Sequence, residues 1–179
     1  MKKFKKFKYK LKWNLLSRYY IKLIKQNSKV LDFGAGDLYI SKLIQDSCNC
    51  KIVGADIIDY GTDYVEKVTF TGNKLPFEDK SFDYVIVTEV LHHIEYDQQK
   101  AMLEELKRVA KQIVILEDAP NALTRLIDRF HNEGDMPVPL AFRNKGEWMK
   151  FLSKIGDVEY IEIKRPFWFP LKYYLMVIK

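Results

Sequence analysis

Val30-Leu31-Asp32-Phe33-Gly34-Ala35-Gly36 decides how the rest of the chain is read. A short apolar run, interrupted by one acid, ends in two glycines, and a helical stretch from Leu38 to Ile44 follows directly. Strand, glycine turn and helix in that order open a nucleotide-binding βα unit. Neither Gly34 nor Gly36 has a Cβ, so the backbone can come close to a ligand there. The helix start that follows offers free N–H groups and a partial positive charge to an anionic group. About twenty residues further on, Asp56 ends a second buried strand, Ile52-Val53-Gly54-Ala55-Asp56, where a carboxylate can accept two hydrogen bonds from a ribose diol.

The turn also says which nucleosides to set aside. A dinucleotide fingerprint needs a third glycine at the position of Tyr39, and a P-loop needs a Gly-Lys-Ser/Thr that the chain lacks. Instead an acid, Asp32, stands two residues before the first glycine, which suits a ligand carrying an ammonium group.

Outward from this unit, strands and helices alternate. A weak third strand falls near Val65–Phe70, and the clearest, Phe82–Val87, follows a turn-rich stretch from Pro76 to Ser81. Gln98–Lys111 carries a helical stripe of Met102, Leu106, Val109 and Ala110, and Ile113–Leu116 reads as a fifth strand. Helices are expected at Leu15–Lys25, Ala122–Phe130 and Lys145–Ile155, with a loop over Asn132–Lys145. Val158–Lys164 and Tyr173–Ile178 read as two closing strands in an antiparallel hairpin at the sheet edge. The pattern predicts a parallel α/β sheet.

With 179 residues, 47% hydrophobic and 30% charged, the chain reads as one ordinary globular domain able to bury a core. No apolar run approaches the roughly 18 residues that span a bilayer, and no apolar stretch of signal-peptide type follows the basic N-terminus, so a cytoplasmic location is expected. Cys48 and Cys50 stand too close for an unstrained disulfide and lack the Cys-x-x-Cys spacing, so they read as reduced thiols. Of the net charge of +6, Met1–Trp13 contributes +7 through seven lysines and no acid, leaving the remainder at −1. That segment reads either as attraction to the phosphates of a nucleic acid or a membrane surface, or as a lid across the body. Phe4, Phe7, Leu11 and Leu15 recur at helical spacing, while Phe7, Tyr9, Leu11 and Trp13 alternate with lysines at strand spacing. The lid is the favoured reading, with lysines extending around its edges. The domain plan is a basic segment and helix over 1–28 and a body over 29–179.

On these residues the chain resembles the class I, Rossmann-like methyltransferases. Val30–Leu38 is similar to their first motif, and Leu75-Pro76-Phe77 with Ser81-Phe82-Asp83 to their segment before the fourth strand. Thr88-Glu89-Val90-Leu91-His92-His93 looks like the loop after it, in the manner of the ubiquinone/menaquinone-biosynthesis type. The resemblance implies a three-layer αβα sandwich around a seven-stranded, mostly parallel sheet with an antiparallel last strand. Its cofactor would be S-adenosylmethionine, leaving S-adenosylhomocysteine as product. Asp32, Gly34 and Gly36 would face the methionine portion, Asp56 the ribose and Ile57 the adenine. Gly72 and Asn73 would lie beside the adenine, and Thr88 would border the sulfonium. Two positions depart from the pattern: Leu38 replaces the third motif glycine, and Thr71 stands where an acid is usual near the adenine.

Methyl transfer from a sulfonium needs alignment and exclusion of water more than acid–base chemistry. Where the acceptor must lose a proton, His92 and His93 are the candidate bases, set against a packing or turn-capping role. Glu89, His131, Asn132 and Arg143 are candidate substrate contacts, Glu89 being read more readily as solvated. Phe167, Trp168, Phe169, Tyr173 and Tyr174 either line an apolar pocket or, more often for such clusters, belong to the core. The loop after the fourth strand lacks the Asn/Asp-Pro-Pro-aromatic motif of base-directed amino methyltransferases. A small, apolar or lipid-like acceptor is therefore the leading expectation. The alternatives are a macromolecular substrate recruited by the lysines, or a non-catalytic homologue.

Overall fold

In the computed structural model the described residues are 3–122, 126, 141–167, 169 and 171–179, with residues 3–8 described as backbone only. The chain opens with helix α1 (Lys3–Leu23) and strand β1 (Lys29–Phe33), followed by α2 (Tyr39–Cys48), β2 (Lys51–Asp56) and β3 (Glu66–Thr69). Then come β4 (Phe82–Thr88), a 3-10 turn (Leu91–His93), α3 (Gln98–Val109) and β5 (Ala110–Asp118). Helix α4 (Lys145–Leu152), β6 (Val158–Ile161) and β7 (Tyr173–Ile178) close it. Helix Ala122–Phe130 and most of the loop Asn132–Lys145 fall outside the described residues.

The strands form one seven-stranded sheet in the order β3-β2-β1-β4-β5-β7-β6. β7 runs antiparallel to both its neighbours, and the pairs among β1 to β5 are parallel. Alternation along each strand sorts the core into two layers. Leu31, Phe33, Val85, Val87, Ile113 and Ile115 pack with Leu103, Leu106, Trp148 and Leu152 of α3 and α4. Val30, Ile52, Tyr84, Ile86 and Val114 face the other way, onto Leu15, Leu16 and Tyr20 of α1, Ile24 just after it, and Ile44 and Cys48 of α2. The three-layer αβα expectation is met, including the closing hairpin.

Several boundaries move for physical reasons. The lysine-rich segment is helical, so α1 begins at Lys3. The strand pattern seen in Phe7–Trp13 gives way because the buried positions Lys12, Leu15, Leu16, Tyr20 and Ile24 recur at helical spacing. β5 extends to nine residues because β4 pairs with its first part and β7 with its last, so Gln112, Glu117 and Asp118 are carried in the ladder despite their polarity. α4 ends at Leu152, short of Ile155, and its start is fixed by a capping box in which Asn144 and Glu147 each accept the other's backbone N–H. Residues 57–65 contain no helix, which leaves the short link between β2 and β3 open at the carboxyl edge of the sheet.

Candidate cofactor-binding site

β1 lies between β2 and β4, so the connections leave it in opposite directions and a crevice opens beyond the carboxyl ends of these strands. The glycine turn fills its floor. Gly34 and Gly36 have φ of +72° and +54°, conformations that glycine adopts without strain. A Cβ on Gly34 would stand 2.4 Å from the Val90 side chain, whereas one on Gly36 would meet nothing within 4 Å. Gly34 is thus fixed by packing, and Gly36 opens on free space. Leu38, at the third glycine position, keeps the left-handed backbone a glycine would give, with φ 61°. Its buried side chain fills the space above Gly54, where a Cβ would come within 2.3 Å of Leu38 Cδ2.

Asp56 closes the turn from the β2 side. Its Oδ2 accepts the Gly36 N–H at 2.7 Å and its Oδ1 accepts that of Ile58 at 3.1 Å. A concavity lined by Gly36, Leu38, Asp56, Ile58, Tyr60 and Thr62 lies alongside. Ile57 is exposed at its rim, and Gly72 and Asn73 are exposed on the turn after β3.

Asp32 points to the α2 side, where Ser41 Oγ donates to its Oδ2 at 2.6 Å. Burial is the main reason its carboxyl is pushed up to about 7, with the neighbouring Asp56 charge adding to the rise and the Ser41 bond opposing it. Among the described residues no lysine or arginine pairs with it. A buried carboxylate short of a cation, two residues from a turn opening on free space, fits a ligand that ends in an amino-acid ammonium.

Over the end of β4 lies α1. Tyr20 Oη shares a 2.9 Å hydrogen bond with Thr88 Oγ1, and burial raises the Tyr20 phenol far above its ordinary range. Lys12 is buried, pairs with Glu89 at 2.5 Å and lies over the Tyr173 ring at 5.4 Å. Glu89 itself has φ 57°, a strained conformation for a non-glycine residue. Nearer its start, Tyr9 stacks on Tyr39 at 5.8 Å. Glu89 is therefore half-buried and ion-paired to α1.

His92 is fully buried: its Nδ1 lies 2.5 Å from Glu117 Oε2 and its ring stacks on Phe142 at 4.6 Å. Glu117 also accepts the N–H groups of Val90 and Leu91, so it pins the turn after β4 to β5. His93 is half-buried beside it. Arg143 sits within 4.9 Å of the rings of Tyr96, Trp148 and Phe151 and donates to Gln99 Oε1. Gln99 in turn donates to the carbonyls of Leu91 and Ile94. His131, Asn132 and Trp168 lie outside the described residues. Phe169, Tyr173 and Tyr174 are core, while Phe167 is almost wholly exposed. Both cysteines are buried and free, with burial pushing the Cys48 thiol up to about 12.

A doubly wound sheet with a glycine turn and a carboxylate at the tip of β2 defines a Rossmann-like nucleoside-binding protein. Residues 31–116 match the family described as a methyltransferase domain. The fold is that of the class I S-adenosylmethionine-dependent methyltransferases. The chain is similar to the PH0226 protein of Pyrococcus horikoshii OT3, at 23% identity and TM-score 0.70, over 96% of this chain and 90% of that one. A SAM-dependent methyltransferase from Archaeoglobus fulgidus aligns at 17% identity and TM-score 0.68, over 95% and 93% of the two chains. Another from Aquifex aeolicus aligns at 19% identity and TM-score 0.65, over 92% and 88%. No curated protein is significantly similar in sequence. Among the described residues no helix is long and apolar enough to cross a membrane, and no cluster of potential ligands for a metal ion occurs.

Proposed function

We propose that the chain transfers the methyl group of S-adenosylmethionine to a small, apolar acceptor, with residues 29–179 as the methyltransferase domain and 1–28 as its roof. The observation that carries the acceptor reading is α1 itself. It crosses the end of β4 with Tyr20 on Thr88 and Lys12 on Glu89, which favours a compact acceptor over a bulky one at that edge. Trp13, half-buried on α1 and stacked on Tyr20, favours an apolar one.

Asp32 would hold the ammonium and the Gly34–Gly36 turn the rest of the methionine portion. Asp56 would give up its bond to Gly36 to take the ribose hydroxyls, and Ile57, Gly72 and Asn73 would border the adenine. Bound there, the cofactor supplies an electrophilic methyl group whose C–S bond breaks as the acceptor's nucleophile forms its new bond. The protein's part is to align the two and keep water out. Where the acceptor carries a proton, His93 is the candidate base, because His92 has no solvent exposure through which to exchange one.

Calorimetric titration with S-adenosylmethionine tests the reading. Micromolar binding that disappears in Asp56→Ala, with no heat from NAD, is the expected result and justifies an acceptor screen. Absence of binding to S-adenosylmethionine and S-adenosylhomocysteine alike would mean a degenerate site.

A further inference from the structure

The outward side of α1 is cationic and apolar at once. From Met1 to Leu31 the chain holds ten lysines, one arginine and no acid. The inward line of α1 is spent on the core and on Glu89, as described above. The outward line runs through Leu11, Asn14, Arg18 and Ile21, alternating three and four residues apart, so these positions share one face. Positions 4 and 7, both phenylalanine, continue that register toward the N-terminus. Leu11 and Ile21 are 38% and 50% exposed, beside the exposed Lys10 and Lys22. Two exposed aliphatic side chains therefore share a helix face whose charged neighbours are all cationic.

A second element joins this face. The Tyr19 hydroxyl accepts the Lys164 N–H at 2.7 Å, and the Arg18 guanidinium donates to the Lys164 carbonyl. These bonds tie the connection between β6 and β7 to α1. That connection presents Phe167, which is 97% exposed, with exposed Lys164 and Arg165 just before it.

We propose that the outer face of α1, together with the Phe167 connection, docks on the surface of an anionic phospholipid bilayer. The charge is complementary: a helix without a single acid meets a negative headgroup layer, which attracts each of its lysines and its arginine. The aliphatic line decides between lipid and nucleic acid. Leu11 and Ile21 gain by entering the boundary between headgroups and acyl chains, whereas they have no flat face on which a base could stack. Phe167 supplies the same kind of anchor from a loop. Docking in this pose sets the roof of the crevice against the bilayer. The inference stands apart from the acceptor reading and survives or fails without it.

The test uses the full chain and sedimentation with vesicles of phosphatidylcholine, with or without about one-third phosphatidylglycerol. Binding to the anionic vesicles alone, weakening as salt is raised, is expected. The triple variant Leu11→Ser, Ile21→Ser, Phe167→Ser keeps every charge and should lose affinity by about tenfold or more, with its circular dichroism and melting temperature unchanged. Equal binding to neutral vesicles, no binding to either, or undiminished binding by the triple variant would each overturn the proposal. So would retention of a single-stranded RNA homopolymer by a chain that ignores the vesicles, since the face would then be a nucleic-acid surface.

Discussion

Asp32 is held near neutrality by burial, and a ligand's ammonium would reverse that. With its carboxyl raised from 3.8 to about 7, the free protein carries Asp32 partly protonated at neutral pH. A cation placed beside it favours the carboxylate, so binding of S-adenosylmethionine should expel a proton and affinity should climb as pH rises from about 5 to 8. Titration in buffers of different ionisation enthalpy reads the proton directly, and Asp32→Asn should bind weakly with no proton released. The stability of the ligand-free chain has the opposite slope. Between about pH 4 and 7 the unfolded chain ionises Asp32 before the folded one does, so this residue's contribution falls as pH rises, and Asp32→Asn should flatten that part of the profile. Leu38 offers a second test. Truncating a buried leucine to alanine costs about 2–5 kcal/mol. Glycine removes one carbon more but relieves a left-handed backbone, worth about 1 kcal/mol. Leu38→Gly should therefore be at least as stable to urea as Leu38→Ala, and a clear advantage for alanine would contradict the φ of 61° at this position.

At the scale of elements, what repeats locally was legible and what joins distant elements was not. The glycine turn, the acid at the tip of β2 and the apolar runs of β1, β2 and β4 each announce themselves within a few residues. Lys12 reads as one more lysine of a basic segment, and Glu89 as a solvated acid, because the partners stand far apart in the sequence and their pairing has no period to detect. The same holds for Tyr20 with Thr88, 68 residues apart. Glu117 was hidden at the end of a strand whose polar tip looked like its termination. Yet it holds three groups of the turn after β4, the N–H groups of Val90 and Leu91 and the His92 ring. Removing it strands all three in a buried setting, so Glu117→Ala should cost about 2–5 kcal/mol in chemical denaturation. Glu117→Gln keeps an oxygen for the backbone groups and changes only the partner of His92, so its loss should be clearly smaller. Equal losses in the two variants would mean that the histidine contact alone matters.

The described residues form one sheet with helices packed on both faces, and the proposed ligand site draws on β1, β2 and β4 together. Even α1, whose basic half reads either as a lid or as a phosphate-seeking segment, buries Leu15, Leu16 and Tyr20 in the same cluster as strands β1 and β4. Roof and body should therefore unfold in a single transition. A ligand that binds only the folded state stabilises it by mass action, by about 2.7 kcal/mol at a hundredfold excess over Kd. For a chain of this size that raises the melting temperature by about 5–10 °C. S-adenosylhomocysteine should produce such a shift, growing with the logarithm of its concentration, and Asp56→Ala should abolish it. Because β1 and β2 are each paired on both sides within the one sheet, the shift should be the same by tryptophan fluorescence and by far-ultraviolet circular dichroism. A shift seen by fluorescence alone would place the ligand against a locally opening α1, through Trp13, and not in the crevice that holds the strands together.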